Sequence, residues 1–478
     1  MSTSISDTPE LAPGAHIEGG FWDSVREALR GSHRDYTEGP VSRAILVLAV
    51  PMVLEMIMES VFAICDVFFV SKLGASAVAT VGLTESWLTL IYAMAMGLAI
   101  AASATVARRI GERDRDGAAH AAGQGILLSL AVAIVLGVVG GTLAPNLLRV
   151  MGASPDVLAV GTGYTRVMLG GNVVIIMLFV INAVFRGAGD AVIAMRVLWL
   201  ANAINIVLGP CLIFGLGPFP RLGVAGAAIA TTIGRGTGAL FAFSRLIKPG
   251  SRIDIHARHL KFDGALIRRL IRLAWSAAVQ MLIGMGSWIA LIRILSTFGS
   301  SVLAGYTIGI RVIMFALLPA AGLANAAATM VGQALGAKKP ERAERAVRIA
   351  GTYNMVVLSC VGAVLALLAP AIARFFTQDP AIVPAAADAL RIVACGFPFY
   401  AWGMVISNSF NGAGDTKTPT VLNLIVFWGW EIPLGYVLAV RTGLGPRGVY
   451  LAIAIAFSTY AVLSAAVFRR GRWKAGRV

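Results

Sequence analysis

The sequence predicts an all-α polytopic membrane protein, with twelve transmembrane helices in two six-helix lobes related by a pseudo-twofold axis along the membrane normal. Three observations predict it. The 478-residue chain is 58% hydrophobic and only 13% charged, with a mean hydropathy of +0.80, too little charge to cover a soluble domain of this size. Apolar runs of about 20 residues, long enough to cross a bilayer, recur along nearly the whole chain. They lack the period-two alternation of barrel strands. Finally, a shift of 225 residues lays the second half on the first without a gap over most of its length.

The elements follow in chain order. Residues 1–20 are polar, with Asp7 and Glu10, and lack the apolar core of a cleavable signal peptide. Residues 21–31 set Phe21, Trp22, Val25 and Leu29 on one face, with Arg26 and Arg30 elsewhere. That pattern suits either a short helix on the inner membrane surface or a disordered tail. The N-terminal segment is bounded at 1–40. The first lobe, 41–246, holds spans at 44–70, 78–107, 121–144, 161–185, 191–215 and 223–246. A basic inter-lobe loop, 247–265, precedes the second lobe, 266–468. Its spans are 273–297, 302–332, 349–373, 385–410, 418–440 and 446–468, and a basic tail, 469–478, closes the chain.

The net charge of +16 would suit a nucleic-acid partner, but its distribution points elsewhere. Sorting Lys and Arg by alternate sides of the spans, with those near a span end counted on the nearer side, puts 29 on the side holding both termini and eight on the other, with Arg235, Arg293 and Arg311 left inside spans. The positive-inside rule then places both termini in the cytoplasm. The basic excess becomes an orientation signal with affinity for anionic lipid, and no nucleic acid is expected. Cys65, Cys211, Cys360 and Cys395 all fall in apolar spans without metal-ligand spacing and read as small buried hydrophobes. His120, His256 and His259 fall in basic loops and read as solvated.

The repeat is carried by turn residues. Gly74 falls on Gly299, Gly97 on Gly322, Gly111 on Gly336, Gly187–Asp190 on Gly412–Asp415, and Gly223–Val224 on Gly448–Val449. Six helices per half, an even number, give both halves the same orientation and leave a cavity between them near the midplane. This is an architecture for alternating access by a secondary transporter.

Ionisable residues inside spans are costly and therefore mark function. The first span carries Glu55, Glu59 and Asp66, which at 100° per residue form one stripe about 16 Å long. Pro51 lies on the same stripe and removes a backbone hydrogen bond, so a bend is expected there. At the shifted positions stand Gln280, Gly284 and Leu291, so this column of acids is confined to the first lobe. Glu85 lies inside the second span and Glu431 in the eleventh, two residues before Pro433. Arg235 and Arg311 are candidate ion-pair partners, while Arg293 is expected to snorkel to the interface. A structural role remains open for each of these acids, most of all for Glu55 and Glu85. There is no phosphate-binding GxxxxGK[ST] loop and no HExxH or CxxC pattern. All five histidines lie outside the spans, so neither ATP coupling nor a membrane-embedded enzyme is expected.

Beyond composition and spacing, the chain resembles the multidrug and toxic compound extrusion (MATE) family of antiporters over roughly residues 40–465. The resemblance rests on Ala49-Val50-Pro51, Asp66-Val67-Phe68-Phe69-Val70, Leu73-Gly74 and Phe185-Arg186-Gly187-Ala188-Gly189-Asp190. It also rests on Asn205-Ile206, Gly332-Gln333-Ala334-Leu335-Gly336 and Asn411-Gly412-Ala413-Gly414-Asp415-Thr416-Lys417-Thr418-Pro419. It implies export of organic cations, drugs or amphipathic metabolites, driven by inward H⁺ or Na⁺. The acid pattern is most similar to the DinF-type branch. That likeness implies Asp66 as the coupling carboxylate, with Tyr164, Asn205 and Thr231 around it. The Asp expected four residues after Asn205 is Gly209 here, a departure from the branch that leaves Glu59 to supply a second carboxylate.

Glu59 is about 10 Å along the helix from Asp66, too far to share one bare ion on an unbroken helix, so H⁺ is favoured over Na⁺. A flippase of a lipid-linked precursor shares the wider fold and is the alternative. Such flippases line the cavity with basic residues, whereas the first helix here carries acids. No cofactor is expected beyond the coupling ion. The expected partners are a small-molecule substrate and membrane lipid, with a monomer as the working unit, in the bacterial cytoplasmic membrane.

Overall fold

The structure, a computed structural model, describes residues 21–31, 35–248 and 250–476, and among them no strand occurs. A short helix α1 (Phe21–Arg30) precedes α2 (Val41–Ser71), α3 (Ala75–Gly111), α4 (Arg115–Val150), the consecutive pair α5 (Pro155–Gly170) and α6 (Asn172–Ala188), α7 (Ala191–Phe214) and α8 (Val224–Leu246). The second lobe runs α9 (Gly264–Leu295), α10 (Ser300–Gly336), α11 (Pro340–Phe376), the pair α12 (Ile382–Ala394) and α13 (Phe397–Gly412), α14 (Lys417–Asn423), α15 (Ile432–Tyr436) and α16 (Pro446–Arg469).

Each expected span lies on one of these bodies, and most of the helices run on beyond the apolar stretch. Among the described residues ten bodies are long and apolar enough to cross a bilayer, and α12–α13 is an eleventh bent by 58°. The twelfth, α8, carries Arg235 and Arg245 among its threonines and glycines, which dilute its hydropathy. Large apolar side chains such as Val135, Val138, Leu240, Leu367 and Val462 are exposed along the outer faces, as lipid contact requires.

Local chemistry sets the helix ends. Asp114 accepts a bond from the Gly117 N–H at the start of α4, and Ser154 accepts from Val157 ahead of Pro155 in α5. Asp263 accepts from Ala265 and Leu266 at α9, satisfying N–H groups that a first turn leaves free. The bonds from the Leu266 and Ala265 N–H groups and from His120 hold the Asp263 carboxyl below the usual carboxylate range, against a smaller opposing effect of desolvation.

The repeat is visible in backbone geometry. Gly74 and Gly299 cap α3 and α10 with φ of 95° and 107°, a region nearly closed to side-chain-bearing residues. In the turns that follow α3 and α10, Arg113 and Lys338 share positive φ, 62° and 57°, at the same 225-residue shift. At the last helix the register slips by three. Gly223 (φ 58°, ψ −136°) caps α8, but its counterpart capping α16 is Gly445 (φ 60°, ψ −144°), while Gly448 lies inside α16. The expected Gly223–Gly448 match is thus corrected to a shift of 222. A matched break went unexpected. Gly171 divides α5 from α6, and Gly396, 225 residues later, stands in the bend between α12 and α13.

The lobes are joined by exchange. The first half of α2, from Val41 to Met52, packs into the apolar core of the second lobe. Leu270, Leu273 and Ala274 of α9 pack into that of the first. Close backbone approach makes this possible: a Cβ on Gly322 would sit 2.7 Å from the Met52 carbonyl, and one on Gly97 would meet the Ala274 carbonyl. At the ends of α3 and α10 the contact is reciprocal, since Gly111 faces the Gln333 carbonyl and Gly336 faces that of Arg108. Gln333 also donates to the Gly187 carbonyl (2.9 Å) and Thr329 to that of Arg186 (3.2 Å). The lobes are therefore closed together at the end bearing most of the Lys and Arg, here termed the basic face.

Two segments reinforce that face. The stretch between α1 and α2 is held by both lobes. Arg342 donates to the carbonyls of Tyr36 (2.9 Å), Glu38 (2.8 Å) and Gly39 (2.8 Å), and Lys339 donates to that of Thr37 (3.0 Å). From the first lobe Arg113 pairs with Glu38 (2.7 Å), and the Arg252 guanidinium lies 5.1 Å from the Tyr36 ring centroid. The inter-lobe segment docks on α4, where Gln124 donates to the carbonyls of His259 and Lys261.

His259 is buried rather than solvated, its Nε2 3.0 Å from Asp116, because docking on α4 covers it. The cysteines are corrected as well. Cys360 and Cys395 are exposed and Cys65 and Cys211 half-buried, because their helices turn those positions outward. Of the two readings of residues 21–31, the structure forms the helix. Its Ser24 and Ala28 are buried, with Trp22 and Leu29 exposed.

Candidate functional site

Charged side chains from α2, α3, α6 and α8, with an amide from α7, converge within the first lobe, and the acids of the first span separate into three environments. Glu55 is buried and bonded to Arg186 of α6 at 2.6 Å. Glu59 accepts from Arg235 of α8 (3.1 Å) through one oxygen and from Asn202 of α7 (3.1 Å) through the other. Arg235 is itself buried, with its guanidinium 5.5 Å from the Phe62 ring centroid and 5.8 Å from that of Tyr92. Both acids are therefore neutralised by a cation, as intramembrane charge demands. Glu59, expected to stand as a second carboxylate near Asp66, is committed to Arg235 instead.

Asp66 differs. It is half-buried on α2 and, among the described residues, has no ion-pair or hydrogen-bond partner. Its electrostatic neighbours are Glu85 of α3 and Arg235. Glu85 is exposed and faces Arg311 of α10 across the lobes, close enough for attraction, but no ion pair joins them. Asp66 and Glu85 thus form an acidic wall on the first lobe, and Arg311 stands opposite as a single cation.

The other residues implied by resemblance sit near this wall without forming a cage. Asn205 donates to Thr231 at 2.7 Å, and both are buried. Tyr164 is buried within the field of Asp66, Glu85 and Tyr92. Asp66 bonds to none of Tyr164, Asn205 or Thr231. At Gly209 a Cβ would meet only the Asn205 Oδ1, at 3.8 Å, an ordinary contact distance.

In the second lobe Glu431 is buried, with the Ser287 hydroxyl of α9 beside it. Arg186, Asn202, Tyr92 and Ser287 escaped sequence reasoning. Arg186 sits one residue past an apolar run and therefore read as a loop residue. Its signal was the repeat, which sets it on Asn411.

Chemically, two carboxylates on one wall suit a proton or a cation, and protonating Asp66 would lower the negative charge of the wall.

The MatE family model matches residues 51–211 and 276–437, one match in each lobe. The multidrug resistance protein NorM of Burkholderia vietnamiensis is 29% identical over 430 residues, covering 87% of this chain and 91% of its own length. The FAD transporter of Shewanella oneidensis is 25% identical, covering 87% of this chain and 92% of its own. Among solved structures, a multidrug resistance MATE transporter in an outward-facing conformation superposes with a TM-score of 0.86 at 29% identity. That match covers 92% of this chain and 97% of the other.

Proposed function

Because the chain belongs to the MatE family of membrane transporters, we propose that it is an H⁺-coupled antiporter exporting amphipathic organic cations by alternating access. The observation that carries this reading is Asp66, half-buried in a span and without a partner while Glu55 and Glu59 on the same helix each hold an arginine. A paired carboxylate is already satisfied. An unpaired one within a span has a cycle to run, empty of protons when it holds a cationic substrate and protonated when it releases it.

The same geometry favours H⁺ over Na⁺. A sodium site needs several oxygens converging on one point, and here Asn205 is spent on Thr231 while Gly209 contributes no carboxylate. The acids on the first lobe also weigh against a lipid-precursor flippase. With the basic face taken as cytoplasmic by the positive-inside rule, closure of the lobes on that face makes this an outward-facing state. Labelling of a cysteine at position 475, which is exposed, by an impermeant reagent in intact cells would overturn that orientation.

The test is efflux from proteoliposomes with imposed gradients. A pH gradient in Na⁺-free buffer should drive export in the wild type, and Asp66→Asn should abolish it while leaving detergent-solubilised protein monodisperse. Export that requires Na⁺ and ignores the pH gradient would refute the choice of ion. Wild-type export by Asp66→Asn would refute the site.

A further inference from the structure

The eleventh span departs from α-helical geometry around an acid that the mechanism above does not use. From Leu424 to Glu431, and again from Val437 to Arg441, its hydrogen-bond ladder widens to a π-helix. Pro433 lies between the two stretches. Proline lacks an N–H and its ring crowds the carbonyl four residues earlier, which accounts for a distortion here. Long π stretches are rare and collect at functional sites.

Glu431 closes the first of these stretches and is 1% exposed. Its Oε2 has no hydrogen-bond partner, and no Lys, Arg or His among the described residues pairs with it. The contrast with Glu55 decides the point. Both are buried carboxylates at membrane depth, but Glu55 holds Arg186 and Glu431 holds no cation.

The groups facing Glu431 are all neutral. They are Ser287 of α9, Tyr306 of α10 and Tyr400 of α13. Behind Tyr306, the Tyr450 ring of α16 is stacked at a centroid distance of 6.1 Å, and both phenol oxygens are buried without partners. The nearest charge on that side, Asp388, is already bonded to Arg447 at 2.7 Å. A buried, unpaired carboxylate among neutral groups is not stable as an anion. Glu431 itself is closed off, with Tyr306 and Tyr450 almost without exposure and Tyr400 partly buried, which leaves room for a ligand no larger than a proton.

We infer that Glu431 is a second proton-binding site, located in the C-terminal lobe and loading independently of Asp66. It takes its proton from water and returns it to water, with no other co-reactant. The protonated carboxyl can donate to a neighbouring oxygen, whereas the anion can only accept. Loading therefore changes what Glu431 offers its surroundings at the end of the π stretch, where the ladder is already loosened.

Infrared difference spectroscopy of the full chain in lipid nanodiscs, titrated with pH and without substrate or gradient, tests this separately from transport. Expected is a protonated-carboxyl C=O band that survives Asp66→Asn and is lost in Glu431→Gln, with one proton fewer taken up per chain. Ser287→Ala should displace the pH at which that band appears, and it serves as the second probe if Glu431→Gln does not fold. Identical bands and uptake in wild type and Glu431→Gln, or a Ser287→Ala titration superposing on wild type, would overturn the inference. Because no transport is measured, a failure of pH-driven export leaves this result standing, and the reverse also holds.

Discussion

Glu55 and Arg186 have a counterpart that explains what they do. At the 225-residue shift they become Gln280 and Asn411, so the second lobe replaces a charged pair by two amides. The pair therefore reads as packing that tolerates either solution, provided both members change together. Removing one partner strands a buried charge, at a cost of about 3–5 kcal/mol. We expect Glu55→Gln or Arg186→Asn alone to lower the unfolding temperature in detergent clearly, and the double variant to recover most of the loss. A double variant as unstable as the worse single would show the charges to be needed as charges. The sequence flagged Glu55, Glu59, Asp66 and Glu431 because acids inside apolar runs stand out. It could not flag which of them were paired, since Arg186, Arg235 and Asn202 lie 131, 176 and 143 positions away from their partners.

At the level of elements, span positions were legible because lipid imposes one length and one composition on every crossing. The matched breaks at Gly171 and Gly396 were not, because one glycine leaves an apolar run looking continuous. The three-residue slip at the last helix was hidden for a related reason. Gly448 lies three residues beyond the true cap, Gly445, and the ungapped comparison matched the wrong glycine. The glycines facing across the lobes give the sharpest test. A Cβ on Gly111 would overlap the Gln333 carbonyl, so Gly111→Leu should wedge the basic face open, at a cost of about 1–3 kcal/mol to the closed state. Spin labels at positions 115 and 341, both exposed, should then report a longer distance across that face. An unchanged distance distribution would mean that the lobes close by some other contact.

For the whole molecule, the segment between α1 and α2 matters because each lobe holds one side of it. Parting the lobes on the basic face must break one side of this grip, Arg342 and Lys339 on the second lobe or Arg113 on the first. Arg342→Ala should shift the balance toward the opened face by about 1–2 kcal/mol, five- to thirty-fold in population. The same spin-label distance would report it, and no shift would mean that the segment follows the lobes passively. Acid should act in the same direction. Partial burial works to raise the Asp35 carboxyl, but hydrogen bonds from Thr37 and the charge of Arg113 outweigh it and hold the group below the usual aspartate value. Its contribution is therefore complete at neutral pH and fades only as the pH falls through that lowered value.

That segment leads through Pro40 directly into α2, the rod that carries Asp66 some 26 residues on, about 39 Å away. A pump without cargo wastes its gradient whenever it cycles empty. On the proposed reading of Asp66 as the proton site, a clasp fastened to the same rod sets how readily this one turns over while idle. On the proposed coupling, loosening it should raise futile proton leak before it changes cargo flux, which makes residues 35–40 a governor of the engine's idling speed.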